Sequence, residues 1–476
     1  MNDPRPHSPP ATIQSLRIGS RSKRRFRSPS ASASTLTALV GGFALLIGIG
    51  TAMLSLPIST SDSSNAPLLV AFFTATSAAC VTGLVVVDTA TYWTGFGQLV
   101  ITGLMYIGGL GIMTAGMILI IAIGRRLTLS DRVALREPVG ATSLGSITSI
   151  VKQVILLATL IQAVGFFILW AFLFRQMPID TAAWQALFHS VSGFNNAGFV
   201  IVPDSSSISS FRADAWVLSV IGILAFLGAI SFVVLMEAIK LRRHRRWSLD
   251  TKLVLAGTFG LILLGSLSMF FLERNNPETL GNLSFGDQVL NSAFHGLVAR
   301  TSGFSTINFG ATHFATNFVF ILLMFVGGVS GSTAGGIKVN TIMVLIAATV
   351  ASIRGRVRPE IFRRELPYDQ VARAMALVML ALLILFAFLL ALTITESHNM
   401  EQAKFQFSDI LFEAASALGT TGLSTGITSD LSKPGQLLVA VLMYVGRLGP
   451  LTIVLGLALR ERRAVYRYAQ ERVRIG

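Results

Sequence analysis

Four tetrapeptides in this sequence hold residue types that would let backbone, rather than charged side chains, bind a dehydrated monovalent cation. They are Val81-Thr82-Gly83-Leu84, Asn196-Ala197-Gly198-Phe199, Thr301-Ser302-Gly303-Phe304 and Thr420-Thr421-Gly422-Leu423. Carbonyl oxygens pointed at one axis can replace a hydration shell without supplying formal charge. Glycine suits such a ribbon because its backbone angles are ones a Cβ would oppose. Thr82, Ser302 and Thr421 precede their glycines and offer a hydroxyl as a ligand or a brace. Ala197 stands in that place in the second copy, with Asn196 before it. One Thr-Gly pair would mean no more than a helix break. Here the four glycines are 115, 105 and 119 residues apart, and each is followed after 24 to 30 residues by a second one: Gly108, Gly228, Gly327 and Gly446. Four copies in register indicate an internal repeat.

The elements that must hold these ribbons follow from hydropathy. The chain has 476 residues, 52% of them hydrophobic and 13% charged, against about 25% charged in soluble proteins. Charge-free runs long enough to span a bilayer occur at 36–56, 92–124, 153–174, 215–236, 253–272 and 374–395. Two more, around 315–350 and 435–459, each carry one internal charge, Lys338 and Arg447. Before each tetrapeptide lie ten to thirteen apolar, helical residues, in segments 68–88, 184–204, 287–309 and 407–427. That is too short to cross a core of about 30 Å, so each reads as a re-entrant loop.

The expected fold is all-α and membrane-integral, with four tandem helix–pore loop–helix repeats, eight spans in all, around a pseudo-fourfold central pore. The repeats are expected at 36–123, 148–241, 251–350 and 370–460, between a disordered basic tail at 1–35 and a second tail at 461–476. The net charge of +15 is topological: 29 of the 38 Lys and Arg fall in the two tails and in alternate inter-span segments. The positive-inside rule then places both termini in the cytoplasm and all four loops outside. Such like-oriented units suit one axial pore and fit poorly with the inverted repeats of a solute carrier. Nucleic-acid binding is set aside. The single cysteine, Cys80, excludes an intrachain disulfide and a cysteine metal cluster, and the six histidines lack ligand spacing. No catalytic triad or nucleotide motif is present, since Ile337 interrupts the Gly-Lys pairing of GSTAGGIK. The chain does not read as an enzyme.

Residues 315–351 would extend about 55 Å as one straight helix, too long for one crossing. Its centre, Gly327-Gly328-Val329-Ser330-Gly331-Ser332-Thr333-Ala334-Gly335-Gly336, has poor helix propensity and predicts an unwound intramembrane loop. Close helix packing through small residues is the alternative. Arg447 takes the position held by Gly109, Ala229 and Gly328 in the other repeats. An intramembrane arginine is costly and points to function, with pairing to carbonyls or a carboxylate as the structural alternative. Arg300 is expected to brace its loop by hydrogen bonds. Glu413 could attract cations or pair structurally.

The four motifs, the RTSGF of the third repeat and the GRLGPLT of the last span resemble the Trk/Ktr/HKT superfamily of potassium transporters. The resemblance covers about residues 36–460, and eight spans make the chain most like the KtrB-type membrane subunit. It implies potassium uptake through a single-chain pore with Gly83, Gly198, Gly303 and Gly422 as filter glycines, and with Arg447 and the 327–336 loop forming a gate. Relatives that favour sodium carry serine at the first filter position, so Gly83 implies potassium. A less selective K+/Na+ channel-like transporter stays open, because only one glycine per repeat is kept. The resemblance further implies a homodimer in the plasma membrane, bound to a cytoplasmic ring of nucleotide-binding, KtrA-like subunits. Arg460–Gly476 and the basic inner loops are candidate docking surfaces. No cofactor is implied in this chain; potassium is the transported ion, and sodium a candidate activator.

Overall fold

The computed structural model of the chain describes residues 31–111, 147–203, 207–231, 234–235, 237, 247–356 and 358–449. Among these it is helical apart from one small hairpin, Glu360–Ile361 against Arg364–Glu365. The C-terminal tail, the basic segments 124–146 and 240–246, and the expected span ends beyond 111 and 449 lie outside the described residues, as does the tail up to residue 30.

A three-part unit recurs along the chain. The first comprises α1 (Ala31–Leu54), the short α2 (Leu68–Ala79) and α3 (Gly95–Gly109). The second comprises α4 (Ile147–Leu173), the short α5 (Ile179–Asn195) and α6 (Ala215–Ala229). In the third, α7 (Leu249–Glu273) and the short α8 (Phe285–Val298) precede a helix broken into α9 (Phe314–Phe325) and α10 (Val339–Ile353). The fourth comprises α11 (Tyr368–Thr395), the short α12 (Phe407–Gly419) and α13 (Lys433–Leu448).

The short helices have 12 to 17 residues, or about 18–26 Å at 1.5 Å per residue. Among the described residues, Val151–Leu173, α7 and α11 are long and apolar enough to cross a membrane. Outward-facing Leu156, Leu263, Phe271, Leu383 and Leu390 are exposed, as lipid contact requires.

Two boundaries differ from the sequence reading. α1 begins at Ala31, inside the stretch expected to be disordered, because neither glycine nor proline interrupts the chain between Pro29 and Gly41. α5 starts at Ile179 rather than near Trp184, with Pro178 at its N-cap and Asp180 complementing the helix dipole in the first turn.

The cores cross unit boundaries in cyclic order. Phe73 and Ile101 of the first unit share one core with Leu418 and Met443 of the fourth and with Ala197 and Phe199 of the second. The second unit's core takes in Phe294, Val298 and Phe304 of the third. The third unit's core takes in Phe412, Ala415 and Leu423 of the fourth. The units therefore close on one another.

Two buried carboxylates tie unit ends together. Glu273, at the end of α7, accepts from Asn276 Nδ2, Thr279 Oγ1, Thr316 Oγ1 and the backbone N–H of His313, the N-cap of α9. Glu396, after α11, accepts from Asn399 Nδ2 and from both the N–H and the hydroxyl of Ser432, the N-cap of α13. Each carboxylate is 0% exposed and fully satisfied, and it adds favourable charge at a helix N-terminus. Glu396→Ala strands those donors and should cost about 2–3 kcal/mol. Thermal unfolding of the purified protein in detergent reads this as a lowered midpoint; an unchanged midpoint would remove the clasp from the account.

Candidate ion pathway

Each short helix ends where the chain turns back on itself. In three units the turn is a Schellman motif, closed by one N–H bonded three residues back and the next bonded five back. Val81 donates to Ala78 O and Thr82 to Ser77 O; Asn196 donates to Gly193 O and Ala197 to Ser192 O; Thr420 donates to Ala417 O and Thr421 to Ser416 O. The motif needs a left-handed residue, and φ is 56° at Val81, 60° at Asn196 and 48° at Thr420. Non-glycine residues held there store about 1–3 kcal/mol each, tolerated where the surroundings over-determine the backbone. The third unit turns differently, with Thr301 and Ser302 both donating to Val298 O.

After the turn, the backbone is held so that donors face backward. Gly83 N–H donates to Ser77 Oγ and Gly422 N–H to Ser416 Oγ, both at 3.0 Å, while Ser192 Oγ donates to Phe199 O at 2.8 Å. In the first and fourth units the glycine N–H is thus committed to the helix behind. Among the described residues, no donor reaches the carbonyls of Val81–Gly83, Asn196–Gly198, Thr301–Gly303 or Thr420–Gly422.

The four glycines meet in a closed ring. φ is 93° at Gly83, 70° at Gly198, 61° at Gly303 and 93° at Gly422, so each occupies left-handed space. The neighbours impose a second demand. A Cβ on Gly83 would strike Ala197 O, one on Gly198 Ser302 O, one on Gly303 Thr421 O, and one on Gly422 Thr82 O. Each ribbon thus rests on the carbonyl of the next, and the fourth returns to the first. The bulky residues after the glycines, Leu84, Phe199, Phe304 and Leu423, are at most 1% exposed and pin the ribbons into the cores. Thr82 Oγ1 and Ser302 Oγ are buried without a hydrogen-bond partner among the described residues, whereas Thr421 Oγ1 donates to Arg300 O at 3.4 Å.

Arg300 itself requires a correction. Its guanidinium is buried, but Nε and Nη1 find no acceptor among the described residues; its brace is the backbone carbonyl. Glu413 accepts from the hydroxyls of Ser424 and Thr428 and so buttresses the chain leaving the fourth ribbon.

The second glycines carry the short helices. In three units a Cβ would collide with a carbonyl near the short helix's end: Gly108 with Ala79 O, Gly228 with Phe194 O and Gly446 with Leu418 O. Gly327 instead meets Gly335 O, because the chain between α9 and α10 folds back upon itself. Gly327 N–H donates to Ile337 O and Val339 N–H to Gly328 O, closing a loop. Gly331 and Gly336 turn it at φ 80° and 68°. Ser332 Oγ bonds Val329 O within the loop, and the exposed Ser330 donates its N–H to Asn340 Oδ1. Thr333 docks on the second unit through Gly228 O, and a Cβ on Gly335 would meet the Thr420 side chain.

Two cations grip this loop. Arg447 donates to the carbonyls of Thr333 and Gly108, so one side chain joins the fourth unit to the third and the first. Lys338 Nζ donates to Ala334 O at 2.6 Å and to Gly335 O at 3.3 Å. Sequence reasoning missed the serines behind the ribbons, although Ser77, Ser192 and Ser416 all stand six residues before their glycines; Leu297 interrupts that pattern. It also gave Lys338 no role. Among the described residues, no cluster of three His, Cys, Asp or Glu could hold a metal.

Comparison with known proteins bears on this geometry. Residues 14–465 match the TrkH family, described as cation transport protein. The chain is 40% identical over 421 residues to the Ktr system potassium uptake protein B of Bacillus subtilis, covering 88% of this chain and 92% of that one. It is 31% identical over 445 residues to the potassium/sodium uptake protein NtpJ of Enterococcus hirae, covering 93% and 97%. The crystal structure of the potassium transporter TrkH from Vibrio parahaemolyticus shares the fold, with a TM-score of 0.69 at 18% identity, covering 92% and 86%.

The ring geometry makes the serine hydroxyls behind it measurable. Ser416→Ala removes the acceptor for Gly422 N–H and should weaken binding of monovalent cations by about fivefold, the value of one hydrogen bond. Calorimetric titration of the purified protein tests this, and unaltered affinity would show that the hydroxyl does not set the ribbon.

Proposed function

The chain belongs to the TrkH family of cation transport proteins, a transporter and not an enzyme, and from that premise we propose that it is the potassium-translocating subunit of a Ktr-type uptake system. The single observation that carries the reading is the closed glycine ring, with each ribbon seated on its neighbour's carbonyl and the carbonyls left without donors among the described residues. Unpaired carbonyls in a protein interior are costly; a dehydrated cation is the partner that satisfies several at once. Short helices aimed with their C-terminal ends toward the ring add partial negative charge.

In this reading the filter comprises Val81–Leu84, Asn196–Phe199, Thr301–Phe304 and Thr420–Leu423, on the axis of eight spans with both termini cytoplasmic. Ions pass down their electrochemical gradient, and an inside-negative potential supplies about 2.3 kcal/mol per charge per 100 mV. The loop 327–336 and Arg447 form the gate. The loop makes contacts at the ends of the second and fourth short helices, and a guanidinium beside it repels cations. The kinship with proteins of the Ktr system supports a cytoplasmic nucleotide-binding ring as partner and a homodimeric membrane unit. A second reading, weaker discrimination between potassium and sodium, is favoured by the single glycine per ribbon and by the kinship with the potassium/sodium uptake protein of Enterococcus hirae.

Two experiments decide the matter. Expression in a bacterium lacking potassium uptake should restore growth at low potassium, and Gly83→Ser or Gly422→Ser should lower the K+/Na+ uptake ratio by about tenfold or more, since the added Cβ displaces a ring carbonyl. Equal ratios in wild type and variants would reject the filter. Arg447→Ala should raise potassium flux several-fold at equal surface abundance; unchanged or lower flux would reject the gate.

A further inference from the structure

An unbroken line of hydrogen bonds runs from two ribbons of the ring to the loop between α9 and α10. Thr301 Oγ1 donates to Asn196 Oδ1 at 2.8 Å. Asn196 Nδ2 donates to Thr333 Oγ1 at 3.0 Å, and Thr333 Oγ1 in turn donates to Gly228 O at 2.8 Å. The carbonyl of Thr333 then accepts from Arg447 Nη1. None of these four side chains is more than 6% exposed, so water cannot readily replace a broken link.

The chemistry of a carboxamide makes this line directional. Its oxygen only accepts and its nitrogen only donates, and both lie in one plane. Asn196 gives the oxygen to the third ribbon and the nitrogen to the loop, and its own backbone, at φ 60°, is the turn that starts the second ribbon. Asn196 Nδ2 also donates to Phe194 O at 3.3 Å, so a flip would set acceptor against acceptor there. A shift of Thr333 therefore either drags the amide plane, and two ribbons with it, or leaves a buried donor unpaired. The equivalent positions lack this link. Val81 has no polar side-chain atom, and Thr420 Oγ1 abuts Gly335 without a hydrogen bond among the described residues.

We propose that Asn196 is a positioning residue that couples filter to gate: with Thr333 docked, the second and third ribbons are held at their selective spacing, and when the loop leaves, the same amide lets those ribbons relax. The coupling rests on the filter-and-gate reading above. It predicts that the loop position sets ion selectivity and that a ribbon hydroxyl sets the flux ceiling.

The test is reciprocal, on full-length protein reconstituted in vesicles, with potassium and sodium fluxes normalised to protein. Thr333→Val keeps the side chain's shape but removes the hydroxyl; it lies outside the ribbons, yet should lower the K+/Na+ ratio by about fivefold while raising flux. Thr301→Val touches no loop residue in the relay, yet should change the maximal potassium flux as well as the ratio. Thr333→Ser restores the hydroxyl and should return the ratio to wild type. Asn196→Asp keeps the acceptor for Thr301 and replaces the donor to Thr333 by a second acceptor, so Thr333 can keep the link only by giving up Gly228 O; it should lower the ratio as Thr333→Val does, and the double variant should add little, as members of one network do. If Thr333→Val does not assemble, Thr301→Val and Asn196→Asp carry the same test. Coupling is overturned if Thr333→Val changes flux alone and Thr301→Val changes the ratio alone. Gly422→Ser and Arg447→Ala are measured alongside. If they fail to move ratio and flux respectively, the filter-and-gate reading itself has failed; if they act and the cross-effects are missing, only the coupling has.

Discussion

The structure depends on one steric fact: at four places a glycine Cα lies so close to the next unit's carbonyl that no Cβ fits between them. Because the sequence of contacts runs from Gly83 to Ala197, Gly198 to Ser302, Gly303 to Thr421 and Gly422 back to Thr82, it is a closed cycle. A cycle resists displacement differently from a chain. Moving one ribbon toward a neighbour forces a collision on that side and opens a gap on the other. The ring's diameter is therefore set by contacts among ribbons, and the helices need only hold their ends.

They do so with modest means. A Schellman turn reverses the chain at the end of three short helices, a serine behind the ribbon takes the glycine N–H in two of them, and a large apolar residue after the glycine enters a core shared with a neighbouring unit. The ribbon carbonyls are left without hydrogen-bond donors among the described residues. Further out, Glu273 and Glu396 fasten the helix ends in the third and fourth units, with two to four hydrogen bonds per carboxylate from outside their own helices.

How much of this could be read from residues alone depends on whether a constraint leaves a mark at fixed spacing. The ring glycines do, because a backbone with positive φ and no room for Cβ admits one residue type, four times in register. The interruption between α9 and α10 does too, since eight glycines, serines and threonines in ten residues cannot sustain a helix. The clasp glutamates leave no mark: each sits at the end of an apolar run, where a charged residue is ordinarily taken as the edge of a span. The serines at six residues before the glycine recur three times, but Leu297 breaks the series and serine is common in such helices. Arg300 misled, because a charge next to a ribbon invites a hydrogen-bonding role, whereas its Nε and Nη1 find no acceptor among the described residues. The pairing of Asn196 with Thr333 joins residues 137 apart that occupy different places in their units, so no comparison of one repeat with another could expose it.

The departures from fourfold regularity gather in the third unit, and their grouping is informative. That unit alone replaces the Schellman turn, has leucine at the serine position, places arginine before its ribbon, and turns its second glycine away from the short helix toward Gly335. The last change removes the close contact by which the second helix of each other unit meets its short helix. The loop thereby gains freedom to be held instead by groups from the other units: Gly228 and Asn196 of the second, Arg447 of the fourth. A ring of four identical units would have no reason to open at one point rather than another. The third unit thus departs from the common pattern while a few polar contacts fasten its loop to the second and fourth units, and the glycine cycle stays closed.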